Sequence, residues 1–171
     1  AAAGLADVVE LRVDGLEAGE VRRLFERLPH DGTEYLITFR PKEQLGMREQ
    51  SLGERLKFWE YIFRLKPPNC SVDLEFDLMA RHVLNPEFTP TIVSSHDHSG
   101  LSAAAPFDYA NSRALIPSLP QRTVKIAVQA DDITDAIGVW KSLEQAVRSG
   151  RKMIPIAMGE SGKWTRILGL A

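Results

Sequence analysis

The chain has 171 residues, 44% of them hydrophobic and 26% charged, with a formal net charge of −2. That length suits one domain with a real core, and the near-neutral balance, with no Lys/Arg run, gives no electrostatic footprint for nucleic acid. The single cysteine, Cys70, excludes an internal disulfide and a cysteine-based metal cluster, and agrees with a reducing compartment such as the cytoplasm. No apolar run approaches transmembrane length, and Ala1-Ala2-Ala3-Gly4 has neither the basic flank nor the apolar stretch of a signal peptide.

Short apolar, β-branched runs alternate with longer helical patterns. Strands are predicted over Ala6–Leu11, Tyr35–Phe39, Ser71–Leu74, Thr91–Ser94, Val124–Val128 and Met153–Ala157, each bounded by Gly, Pro, Asn or Asp. Helices are predicted over Glu17–Leu28, with Val21, Leu24, Phe25 and Leu28 on one stripe, and over Leu52–Leu65, with Leu56, Trp59, Ile62 and Phe63. A third covers Asp131–Arg148, with Asp131 or Asp132 as N-cap and Gly150 just past its last turn. Phe107–Leu119 is a fourth helical pattern, crowded by Pro106, Pro117 and Pro120, and Ser99–Pro106 reads as a loop. Alternating strands and helices imply parallel pairing through right-handed crossovers. Six strands in series fit an open doubly wound sheet or most of a TIM (β/α)8 barrel. No Gly-rich phosphate loop follows the first strand, which counts against a dinucleotide fold.

The informative residues are polar ones at the C-terminal ends of these strands. Strand side chains alternate faces, so Val8, Glu10 and Arg12 share one face, as do Thr38 with Arg40, Asp73 with Glu75, and Ser94 with His96. In a barrel these side chains point inward near one rim, where barrel active sites lie. Burying so many ionisable groups is costly unless they pair, so the alternative to a catalytic site is a set of mutually compensating ion pairs. Lys125 stands out among Val124, Ile126, Ala127 and Val128. A desolvated lysine near arginines has more free amine, and a free amine can attack a ketone to give an iminium. The alternative is a lysine snorkelling from a strand end. His96, in Ser94-Ser95-His96-Asp97-His98, suits proton transfer near neutral pH. A metal is not expected, because no third ligand stands at metal spacing.

Six pieces then resemble the type I 3-dehydroquinate dehydratases, in order and approximate spacing along nearly the whole chain. They are Glu10-Leu11-Arg12-Val13-Asp14, Thr38-Phe39-Arg40-Pro41-Lys42, Val72-Asp73-Leu74-Glu75, Ser95-His96-Asp97, Val124-Lys125-Ile126-Ala127-Val128, and Met158-Gly159-Glu160-Ser161-Gly162 followed by Arg166. The resemblance implies a TIM (β/α)8 barrel and a lyase that dehydrates 3-dehydroquinate without a cofactor, in the shikimate pathway of aromatic amino acid biosynthesis. It makes Lys125 the Schiff-base lysine and His96 the base that takes the C2 proton and then protonates the departing hydroxyl. It makes Glu10, Arg12 and Arg40 substrate-binding residues and Arg166 the partner of the substrate carboxylate.

Two departures from the family pattern stand out. The family usually has a Glu-Gly-Gly loop whose glutamate orients the histidine. Here Arg40 is followed by Pro41-Lys42-Glu43-Gln44-Leu45-Gly46, so Glu43 lies one position early and Gln44 fills the usual place. Either is a candidate to orient His96. The family's first strand would also precede Ala1 and its eighth would follow Ala171. The expectation is a barrel domain over residues 1–171 that is incomplete at both ends. It would be part of a longer polypeptide, with shikimate dehydrogenase as one fusion partner, or be completed by association, with a homodimer expected. Two rival functions stay open: another Schiff-base barrel enzyme such as a class I aldolase, and a non-catalytic sensor of quinate-like ligands.

Overall fold

A computed structural model describes residues 6–29, 31–65, 67, 69–81, 91–99 and 122–169. Its contacts divide the chain into two compact units, Ala1–Thr91 and Ile92–Ala171.

The first unit carries β1 (Val8–Arg12), α1 (Ala18–Glu26), β2 (Glu34–Thr38), α2 (Leu52–Leu65), β3 (Cys70–Glu75) and α3 (Phe76–Arg81). The strands pair in parallel, β1 with β2 and β2 with β3, so the connections are helical crossovers as the alternation requires. Register aligns Glu10 with Leu36, Arg12 with Thr38, and Thr38 with Asp73. One face of the three strands therefore bears Val8, Glu10, Arg12, Leu36, Thr38, Ser71 and Asp73. The other face bears Val13, Tyr35, Ile37, Phe39, Val72 and Leu74, which form a buried cluster with Val21, Phe25, Leu28, Trp59, Ile62 and Leu78. The stripes of α1 and α2 read from the sequence are the ones that cover it. The polar face is thus left for chemistry while the core lies beneath the helices.

The second unit repeats the arrangement with β4 (Ile92–Asp97), β5 (Thr123–Gln129), α4 (Ala136–Arg148), β6 (Met153–Met158) and α5 (Trp164–Leu168). These strands are also parallel, β4 with β5 and β5 with β6. A 3-10 turn at Ile133–Asp135 leads into α4, and Asp132 caps it by accepting from the Thr134 amide at 2.8 Å. Gly150 adopts φ +66° just beyond α4, as the helix stop signal foresees. Trp140 of α4 and Trp164 of α5 pack with tilted rings whose centroids are 5.5 Å apart.

All six predicted strands exist. Three of the helices do too, although the Asp131–Arg148 pattern opens with the 3-10 turn. The pattern over Phe107–Leu119 and the loop over residues 100–106 lie outside the described residues. The short helices α3 and α5 were not anticipated, because six and five residues are too few to establish a 3.6-residue period.

Candidate active site

The polar face of the first unit is dense with charge, and most of that charge is paired. Arg40 is 4% exposed and Asp73 not at all, and the two form a short ion pair. Arg40 also donates to the Phe39 carbonyl at 3.1 Å. Arg12 forks onto Asp14, with Nε to Oδ1 at 2.6 Å and Nη2 to Oδ2 at 2.9 Å. The Asp14 carboxyl is buried, which would raise its pKa. Hydrogen bonds from Arg12 and from the Met47 amide outweigh that and hold it below the ordinary value. Glu10 is exposed on the same face as Arg12. Thr38, between Arg12 and Asp73 in register, is fully buried, with no hydrogen-bond partner for its hydroxyl among the described residues.

At the end of β3, Glu75 is fully buried. It accepts from Trp59 Nε1 at 2.8 Å and from Arg55 Nη1 at 3.2 Å. Desolvation pushes its pKa up to about 7, against the pull of those two donors and of the Arg55 charge. Arg55 is itself 3% exposed and also holds Asp77 of α3 in a short ion pair. The mutually compensating network that the sequence left open is therefore real for Arg12, Arg40, Asp73 and Glu75. Its Arg55 member was missed. The signal was present, since Arg55 lies four residues before Trp59 on the buried stripe of α2.

Residues 41–48, between β2 and α2, form a closed loop. Pro41 bridges to Arg48, the Lys42 amide donates to the Arg48 carbonyl at 2.9 Å, and the Gly46 amide donates to the Pro41 carbonyl at 3.0 Å. A Cβ on Gly46 would lie 1.6 Å from the Arg40 carbonyl oxygen, so only glycine fits. Of the two candidates to orient His96, Glu43 is exposed and its carboxylate lies 3.9 Å from Arg55, while Gln44 is half-buried.

The second unit brings Lys125 and His96 together. Register pairs Ser94 with Lys125 and His96 with Ala127, so Ser94, His96, Lys125, Ala127 and Gln129 share one face. Adjacent strands lie about 4.8 Å apart and rise about 3.3 Å per residue, which puts the Cα atoms of Lys125 and His96 about 8 Å apart, on the diagonal. Both side chains are half-buried. The surroundings of Lys125 differ from the expectation in one respect. Val124, Ile126 and Val128 are buried on the opposite face, so the lysine is not ringed by its apolar sequence neighbours. Its neighbours in register are Ser94, wholly buried with no hydroxyl partner among the described residues, and Ile154.

Beyond β6, Gly159 takes φ +80°, and a Cβ there would come within 2.8 Å of the Ala130 carbonyl oxygen. Ser161 donates to the Asp131 carbonyl at 3.1 Å. Thr165 donates to the Gly162 carbonyl at 2.7 Å and accepts from the Ala157 amide at 3.2 Å. These contacts fix the turn that leads into α5, where Arg166 stands exposed.

The model of the type I 3-dehydroquinase family matches residues 1–171. A 3-dehydroquinate dehydratase of Methanocella arvoryzae is 31% identical over 175 residues, spanning 95% of this chain and 72% of the relative. One from Desulfotalea psychrophila is 25% identical, spanning 95% and 71%. Among solved structures, the type I 3-dehydroquinate dehydratase of Clostridium difficile superposes with a TM-score of 0.77 at 18% identity, over 98% of this chain and 71% of the other. A dehydroquinate dehydratase and shikimate dehydrogenase from S. pombe superposes with a TM-score of 0.74 at 21% identity, over 95% of this chain and 34% of that one. The fold is therefore that of a partial (β/α)8 barrel. No helix among the described residues is long and apolar enough to cross a membrane. The match over the whole chain, together with a relative above 30% identity, makes this chain a member of the type I 3-dehydroquinase family, a family of hydro-lyases.

Proposed function

We propose that the chain dehydrates 3-dehydroquinate to 3-dehydroshikimate through a Schiff base on Lys125. The observation that carries this reading is the β4–β5 register, which sets an amine and an imidazole on one face, a diagonal apart. The Lys125 amine adds to the C3 ketone, and loss of water gives an iminium. The iminium acidifies the C2–H bond, and His96 takes that proton. The electron pair left at C2 forms the C1–C2 double bond as the C1 hydroxyl departs, and His96 returns the proton to that oxygen, releasing water. Hydrolysis of the iminium consumes the water lost in forming it and frees the lysine, so the net change is loss of one water. Glu10 and Arg12 would hold substrate hydroxyls, and Arg166 would hold the carboxylate. Arg40 would contribute through the N–H groups that Asp73 and Phe39 leave over. Glu43 or Gln44 would orient His96.

The same reading places the reaction in the shikimate pathway of a cytoplasmic enzyme that forms a homodimer. The S. pombe protein gives a precedent for fusion to a shikimate dehydrogenase. Borohydride reduction in the presence of 3-dehydroquinate is expected to add the mass of the reduced ligand at Lys125. A folded protein whose Lys125 stays unmodified under turnover conditions would refute the proposal.

A further inference from the structure

Asp14 has no part in the chemistry just described, yet it is a heavily bonded carboxylate beside a proposed substrate contact, Arg12. It is 1% exposed and accepts three hydrogen bonds. Two come from Arg12, Nε at 2.6 Å and Nη2 at 2.9 Å, and the third from the Met47 amide at 2.9 Å. The Arg12 side chain is 46% exposed, so its inner edge is clamped while its outer edge faces solvent. A guanidinium has five N–H groups. The fork to Asp14 uses one on Nε and one on Nη2, which leaves three in a fixed plane. Unclamped, the long side chain would have to lose its rotamer freedom each time a ligand bound. The Met47 amide belongs to the closed 41–48 loop, which carries Glu43 and Gln44.

We propose that Asp14 is a positioning residue. It fixes the plane of the Arg12 guanidinium so that the remaining N–H groups meet a substrate hydroxyl, and it ties that plane to the 41–48 loop. The claim rests on the dehydratase reading for the identity of the substrate, and on the hydrogen bonds alone for the clamp.

The test is a double-mutant cycle in the full chain, with wild type, Asp14→Asn, Arg12→Ala and the double variant assayed on 3-dehydroquinate. Asparagine keeps the size but has one acceptor oxygen and no charge, so it cannot reproduce the fork of Arg12 onto two carboxylate oxygens. Asp14→Asn is expected to raise KM about 10-fold with kcat held within about 3-fold, the mark of lost binding rather than lost chemistry. In the Arg12→Ala background the same substitution should leave KM unchanged, because the group it positions is gone. A merely structural Asp14 would cost as much in either background, and that result overturns the proposal, as does an unchanged KM in Asp14→Asn. Amide hydrogen exchange at Met47 should quicken in Asp14→Asn and stay slow in Arg12→Ala; slow exchange in both would refute the tie to the loop. If Asp14→Asn does not fold, Asp14→Glu displaces the carboxylate while keeping its charge and carries the same test. A wild type that neither turns over nor is trapped by borohydride would sink the dehydratase reading instead. The clamp would then be judged by the Arg12 Nε–H resonance, expected to be protected in wild type and lost in Asp14→Asn.

Discussion

Removing Asp73 tests most directly how the polar face is held. Asp73 is wholly buried and Arg40 is 4% exposed, so neither charge is screened by water. Asp73→Ala would leave the Arg40 guanidinium buried without this carboxylate. Breaking a buried pair by deleting one partner costs about 3–5 kcal/mol. For a chain of this size each kcal/mol lowers Tm by about 2–4 °C, so the fall should be about 6–20 °C. An exposed pair sets the contrast. Arg148 and Glu144 are 76% and 60% exposed, and Glu144→Ala should cost less than about 1 kcal/mol. Thermal unfolding followed by circular dichroism measures both. The charge argument further requires that the double variant Asp73→Leu/Arg40→Met recover part of the loss, since it removes both members of the pair. If Asp73→Ala melts within about 2 °C of wild type, or if the double variant is no more stable than the single one, the reasoning is wrong.

Three further outcomes follow from the same structure. His96→Ala should still accumulate a borohydride-trappable imine at Lys125 but lose about 10²- to 10⁴-fold in turnover; near-normal turnover would remove His96 from the mechanism. Glu75 has its folded pKa raised from 4.5 to about 7, chiefly by desolvation. The folded state therefore keeps a proton that the unfolded state gives up, so this contribution to stability is complete below pH 4.5 and disappears as pH rises through about 7. Melting curves from pH 4 to 8 should show wild type losing stability relative to Glu75→Gln across that window, and a constant difference would contradict it. Burial pushes the Cys70 thiol up to about 11, so iodoacetamide at pH 8 should alkylate it far more slowly than an unfolded control, and equal rates would refute the assignment.

Much of the fold was legible because parallel strands covered by helices are written as continuous apolar runs. Ile37, Phe39, Val72 and Leu74 lie under helices in the first unit, and Val124, Ile126 and Val128 are buried on one face of β5 in the second. The period-2 rule then gave the polar face correctly, and the observed register places Glu10, Arg12, Thr38 and Asp73 together on it. Elements of one or two turns escaped. Helices α3 and α5 and the 3-10 turn at Lys42–Gln44 owe their form to neighbouring contacts, such as Arg55 with Asp77 or Thr165 with Gly162, and not to a pattern of their own.

The candidate site was legible in its members but not in their partners. A strand pattern says which side chains share a face; it does not say which of them spend their hydrogen bonds on each other. Lys125 shows one limit of such reading. Val124, Ile126 and Val128 are on the opposite face, so its surroundings are set by Ala127 on its own strand and by residues from other strands, Ser94 and Ile154. Arg40 shows another. The sequence marks Arg40 as a substrate-binding candidate and leaves ion pairing open without naming a partner, whereas the fold pairs it with Asp73. Among the arginines of the first unit proposed to meet substrate, Arg12 is the one whose guanidinium is both clamped and partly open to solvent. A ligand hydroxyl can reach such a group at little entropic cost. Substrate affinity should therefore depend more steeply on Arg12 than on Arg40, whereas Arg40 should weigh more heavily on stability. Comparing KM and Tm for Arg12→Ala and Arg40→Ala would expose the opposite ordering if these assignments were reversed.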